Sequence, residues 1–225
     1  MHTYIKPLLS GFESGKNPEN AFWMKKYMKD QFEFYGVKTP ERRAMMKSFL
    51  KEYGLPAENE LKQVITECWS NDFRDWQYVA IALLIEYIKK PEKKIVGLLE
   101  YMVVNKSWWD TVDGIAGWLV GPLFRKYPDL IVPETTKWMN SGNIWLQRTC
   151  LLYQLNYKKN TDTGILFRFI EELSGETSFW IRKAIGWILR EYSKTNPDAV
   201  LQFVNSHQLS SLSRKEALKV IQIPQ

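Results

Sequence analysis

Five prolines punctuate the chain at nearly regular places, and they restrict what it can fold into. They occur as Asn17-Pro18, Thr39-Pro40, Lys90-Pro91, Tyr127-Pro128 and Asn196-Pro197. Proline is tolerated at the first position of a helix, because the N–H it lacks would find no partner there. Asn17, Thr39 and Asn196 are good N-cap residues. Gly54, with Pro56 beyond it, reads as a helix stop. Apolar residues repeat with helical period: Ala80, Leu83, Leu84, Tyr87 and Ile88 form one stripe, and Ile181, Ile185, Ile188, Leu189 and Tyr192 another. No Asn-Gly hairpin or run of alternating strands appears.

These signals predict about twelve helices, roughly over 18–30, 40–53, 57–70, 72–89, 91–104, 107–126, 128–141, 143–158, 162–173, 176–195, 197–206 and 211–222. Alternate helices begin near 18, 57, 91, 128, 162 and 197, a spacing of about 34 to 39 residues, which is the period of a stacked two-helix repeat. The expected fold is all-α, a HEAT-like repeat superhelix of antiparallel helix pairs with one concave face, forming a single domain over residues 1–225.

Composition narrows the function. Thirty-one basic against 25 acidic residues give a net charge of +6, spread along the chain with no basic tail. That favours a polyanionic partner, with any basic patch assembled by the fold. Ten tryptophans are more than a core of this size requires. Cys68 and Cys150 lie far apart, and His2 and His207 sit near the ends, so neither a metal site nor a histidine triad has material to build from. Reduced thiols and the lack of an apolar leader in Met1–Gly15 suggest a cytoplasmic protein. The longest apolar run, near Val79–Ile85, is too short for a bilayer.

Three segments could carry chemistry. In Ser107-Trp108-Trp109-Asp110-Thr111-Val112-Asp113, Ser107 and Asp110 look like a capping box. Trp109 and Asp113 share a helix face, whereas Trp108 points toward Val112 and Ile115 and is expected in the core. On this fragment alone Trp109 reads first as a packed aromatic, and Asp113 as a surface carboxylate or the partner of an arginine. In Asn143-Ile144-Trp145-Leu146-Gln147-Arg148, Asn143 caps a helix. Arg148 is a solvated cation, a partner of Asp113, or a phosphate clamp. In Phe179–Arg190, helical spacing aligns Lys183, Trp187, Arg190 and Lys194. Such a stripe suits nucleic acid, with cations for phosphates and a flat ring for sugar or base; the plainer reading is a packed tryptophan with snorkelling cations. Gly186, costly within a helix, suggests close approach by a neighbouring helix or a ligand.

Together these fragments resemble one family. Lys25-Lys26-Tyr27-Met28-Lys29, the Gly36-to-Arg43 turn, Trp108-Trp109-Asp110 with Asp113, Asn143-to-Arg148, and Lys183-to-Trp187 running into Leu189–Tyr192 and Lys194–Pro197 are similar, in order and spacing, to the AlkD-type DNA alkylation-repair glycosylases. The resemblance spans nearly the whole chain. It implies a HEAT-like superhelix with double-stranded DNA in its groove. It also implies excision of cationic N3- and N7-alkylated purines such as 3-methyladenine and 7-methylguanine, with no cofactor or metal, by a monomer. Carried over, Asp113 would be catalytic and Trp109 and Trp187 would pack on the lesion's deoxyribose. Arg148 would hold DNA and Asp113, while Tyr27, Lys38, Arg43, Lys183, Arg190 and Lys194 would contact DNA. Lys38 departs from the glutamine of the family, adding a charge. Trp109 and Trp187 are expected to be substantially exposed and Trp108 buried, and the isosteric change Asp113→Asn is expected to spare folding. A non-catalytic DNA-structure binder of the same fold, or a protein-interaction solenoid, are the competing readings.

Overall fold

The computed structural model describes residues 1–221 and is helical throughout. Its described residues hold fourteen α-helices and no strand, with a single isolated bridge between Glu33 and Phe73. The predicted helix over 211–222 ends beyond the described residues. The chain divides into two compact units, Met1–Pro91 and Glu92 onward.

The first unit contains α1 (Lys6–Ser14), α2 (Pro18–Tyr27), α3 (Thr39–Tyr53), α4 (Glu58–Ser70) and α5 (Arg74–Tyr87). Helix α1 was not expected, yet Ile5, Leu8 and Phe12 bury themselves at helical spacing. Asn17 caps α2 as predicted, its side chain accepting the Asn20 N–H at 2.9 Å. Thr39 instead becomes the first residue of α3. The cap is Lys38, whose N–H donates to the Glu41 carboxylate at 2.9 Å. Trp69 and Trp76 are fully buried beside Val64, Ile65, Leu83 and Leu84. Helices α4 and α5 pack together across a connection too short for anything but an antiparallel pair.

An extended segment between α2 and α3 is pinned to the start of α5. Arg74 N–H donates to the Glu33 carbonyl at 2.8 Å, Tyr35 N–H to Asp75 at 3.0 Å, and the Arg74 guanidinium lies 3.8 Å over the Phe32 ring. Gly36 sits there at φ +86°, where a Cβ would meet the Asn17 carbonyl at 2.0 Å.

The second unit contains α6 (Val96–Val104), α7 (Trp109–Ile115), α8 (Gly121–Lys126), α9 (Ile131–Met139), α10 (Ile144–Leu152), α11 (Thr163–Leu173), α12 (Phe179–Ser193), α13 (Pro197–Ser206) and α14 (Ser211–Ala217). Helix α10 is its axis: every residue from Leu146 to Leu152 is buried, and it packs on α6, α7, α9 and α12. The predicted helix 107–126 is interrupted by a π turn at Ala116–Val120. Pro122 explains the break, since its ring crowds the carbonyl four residues back and it donates no hydrogen bond. Helix α12 lies against α14 along an extended contact. Gly186 permits it: a Cβ there would meet Glu216 Cβ at 2.5 Å and the Ser213 carbonyl at 2.9 Å. The glycine anticipated a neighbour, and the neighbour is a helix.

Candidate active site

Four helices of the second unit surround one pocket of about 250 Å³. Helix α7 supplies Trp109 and Asp113, α10 supplies Arg148, α12 supplies Phe179, Trp180, Lys183, Trp187 and Arg190, and α14 supplies Glu216.

Local sequence places these side chains. Helix α10 begins where Asn143 predicted, the Asn143 carboxamide accepting from Trp145 N–H at 2.9 Å and Leu146 N–H at 3.2 Å. One turn further, Arg148 meets Asp113. Its Nε donates to Oδ1 at 2.7 Å and its Nη2 to Oδ2 at 2.8 Å, while Nη1 donates to the Trp180 carbonyl. Arg148 is only 4% exposed. A charge so far from water is tolerated only when paired and hydrogen-bonded, and the partner here is Asp113. The solvated reading of Arg148 is excluded, and each of its three guanidinium nitrogens already donates within the protein.

Asp113 feels two opposed influences. Burial pushes its carboxyl above the ordinary value, and the Arg148 pair pulls it back down. The result is an oriented carboxylate at the wall of a pocket, with tryptophans on either helix beside it.

Two local expectations need correcting. Ser107 does not cap α7; its hydroxyl donates to the Val103 carbonyl at 2.6 Å and closes off α6 instead. Trp108 is half-buried, not a core residue. The backbone at Trp108 is extended (φ −159°), and its ring lies in a cluster with Trp180 and Trp145, centroids 5.1 and 5.8 Å away. Trp109 and Trp187 are half-buried, less open than the sequence suggested.

The basic stripe divides. Lys183, Trp187 and Arg190 line the pocket, whereas Lys194 lies beyond the last turn of α12, in an exposed pair with Glu191 at 2.6 Å. Glu216, which no sequence signal marked, bridges the two pocket cations: Lys183 Nζ donates to it at 3.0 Å, and Arg190 Nη1 donates to its other oxygen. Phe179 and Trp180 also join the lining without having been assigned a role.

Tyr27, Lys38 and Arg43 belong to the first unit and are exposed. Tyr27 ends α2, a helix that buries no residue and also exposes Phe22 and Trp23. The most exposed tryptophans are therefore Trp23, at 63%, and Trp118, at 58%, on the π turn.

Among the described residues no cluster of histidine, cysteine and carboxylate side chains could hold a metal ion, and no helix is long and apolar enough to cross a membrane.

The sequence that builds this site matches a known family across almost the whole chain. The family model of the DNA alkylation repair enzymes covers residues 8–221. The chain belongs to that family. It is similar to a predicted DNA alkylation repair enzyme from Enterococcus faecalis, with 34% identity over 93% of this chain and 98% of that one, and a TM-score of 0.85. Two solved structures from Streptococcus mutans share the fold at lower identity. AlkD2 is 22% identical over 79% of this chain and 89% of its own, with a TM-score of 0.60. The protein smu.31 is 21% identical over 80% and 98%, with a TM-score of 0.59. No curated protein matches the chain. Membership bears out the resemblance read from the sequence, including the all-helical repeat fold.

Proposed function

We propose that this protein is a monofunctional DNA glycosylase that hydrolyses the N-glycosidic bond of cationic N3- and N7-alkylated purines in duplex DNA, the first step of base excision repair. One observation carries the reading: Asp113 is fixed by a bidentate Arg148 at the wall of a pocket that also presents Trp109 and Trp187.

Alkylation at N3 or N7 makes the base a cation, so it departs neutral, taking the electron pair of the C1′–N bond. The sugar left behind develops oxocarbenium character. A carboxylate held beside C1′ stabilises that charge and orients the attacking water, whose proton then passes to solvent. Arg148 contributes by removing freedom: a carboxylate gripped on both oxygens does not reorganise as charge develops. The faces of Trp109 and Trp187 attract the same positive charge. Lys183 and Arg190 would receive backbone phosphate, and Tyr27, Lys38, Arg43 and Lys194 would contribute contacts elsewhere along the duplex. No lysine acts as nucleophile, so the product is an abasic site in an intact strand. A DNA substrate and reduced Cys68 and Cys150 suit the cytoplasm.

The deciding experiment measures release of 7-methylguanine and 3-methyladenine from alkylated duplex under single-turnover conditions, for the wild type and Asp113→Asn. Release by the wild type that is lost in the variant, with DNA binding retained in both, supports the reading. Binding without release by the wild type makes the protein a DNA-structure binder.

A further inference from the structure

Lys183 and Arg190 are seven residues apart on α12, which alone would separate them by about 10.5 Å along the helix axis. Yet both touch the same carboxylate. Lys183 Nζ reaches one oxygen of Glu216 and Arg190 Nη1 the other. The two cations are therefore drawn together over the turn that carries Trp187.

The carboxylate that gathers them is itself fixed. The stem of Glu216 passes over Gly186, where there is no room even for a methyl group. The Ser213 hydroxyl, one turn earlier on α14, donates to the Arg182 carbonyl at 2.9 Å. The Glu216 side chain is 12% exposed, against 37% for Lys183 and 25% for Arg190. Glu216 thus grips the cations from the protein side while they remain open to solvent. Neither cation has another hydrogen-bond partner among the described residues, in contrast to Arg148, which donates from all three guanidinium nitrogens.

We infer that Glu216 is a positioning residue that converts Lys183 and Arg190 into a clamp for one backbone phosphate of the nucleic acid strand, next to Trp187. The inference rests on the DNA-binding reading above. A lone lysine and arginine would each lose rotamer freedom on gripping a phosphate. Tethering them beforehand removes much of that cost, and converging them gives one anion two charge-assisted partners. Glu216 stays ionised in this setting: burial raises its carboxyl, but Lys183, Arg190 and Lys219 together hold it below the ordinary value.

The test is duplex binding as a function of salt for the wild type, Glu216→Gln, Lys183→Met, Arg190→Met and the Lys183→Met/Arg190→Met double variant. Glutamine keeps the shape of Glu216 and loses the charge that holds both cations. The clamp predicts roughly tenfold weaker binding for Glu216→Gln and a salt slope lower by about 1, one phosphate contact. It also predicts that Glu216→Gln adds little in the Arg190→Met background. Should the glutamine variant lose its fold, the cation variants decide. Each should lower the slope by about 1, and the double variant by no more, since both grip the same phosphate. Tighter binding by Glu216→Gln with a steeper slope would make the carboxylate a competitor of phosphate and overturn the inference. Unchanged affinity and slope, or additive losses in the double variant, would also overturn it. Those results leave the glycosylase reading intact if the wild type still binds and excises. A wild type that binds no duplex removes both.

Discussion

Arg148 and Asp113 meet edge to edge, Nε to Oδ1 at 2.7 Å and Nη2 to Oδ2 at 2.8 Å, across two helices of the second unit. The pair makes the behaviour of each residue depend on the other.

Asp113→Asn will not be silent for folding, as the sequence alone suggested. It leaves the buried Arg148 charge without its partner. Breaking a buried pair can cost about 3 to 5 kcal/mol, but burial already disfavours the charged Asp113 carboxylate and offsets most of that loss, leaving about 1 kcal/mol. The midpoint of thermal unfolding should fall by about 2 to 4 °C for a chain of this length. Excision should fall about 10²- to 10³-fold in single-turnover assays run well below that midpoint. Excision at the wild-type rate would remove Asp113 from the chemistry.

The pH dependence follows from the same pair. Asp113 has a folded value raised above its unfolded one, burial outweighing Arg148. The folded state therefore holds the proton more tightly, and this group's contribution to stability declines as pH rises from the unfolded to the folded value. Excision needs the ionised form, so it should fail on acidification at a higher pH than an ordinary aspartate would dictate. Arg148→Gln removes the influence that lowers the value, so the acid limb of the rate profile should move to still higher pH. An unmoved limb would show that another group controls it.

The division of the basic stripe predicts unequal losses. Arg190→Ala should weaken binding to all duplex sequences alike and lower the salt slope by about 1. Lys194→Ala should have a smaller effect, because Lys194 sits outside the pocket and exchanges one exposed partner for another. Fluorescence anisotropy titrations at several salt concentrations measure both.

Gly186→Ala tests the contact between α12 and α14. Alanine is the better helix former by about 1 kcal/mol, so an unconstrained site would gain stability. Here the new methyl would strike Glu216 Cβ and the Ser213 carbonyl. Overpacking of this kind costs about 1 to 3 kcal/mol. The variant should melt lower, with Glu216 displaced from Lys183 and Arg190. A higher melting temperature would contradict the packing.

Much of this architecture is legible along the chain because it is local. The stripe Ile181, Ile185, Ile188 and Leu189 is buried as its spacing requires, and Asn17, Asn143 and Asn196 cap the helices they precede. Asp113 and Arg148 are visible as candidates because one sits beside a tryptophan on its helix face and the other lies where a lone cation is unfavourable. What escapes is what depends on distant packing. Glu216 acquires its place only when α14 docks, and the trace it leaves in α12 is the missing side chain of Gly186. Trp108 looked like a core residue because its position was judged on a regular helix, whereas its backbone is extended. The π turn follows from Pro122, whose effect falls on the turn before it.

Helix α14 is seven residues long, too short to hold helical structure by itself in water. It is a helix only while it rests on α12 and α13. Brief detachment therefore dissolves a wall of the pocket and frees both cations, while α10 and its buried neighbours stay intact. Any such opening would leave the site incomplete and would lower a rate measured on it by the fraction of time spent open. Hydrogen exchange should find the α14 amides opening well before those of α10, and bound DNA should slow them by latching the helix shut.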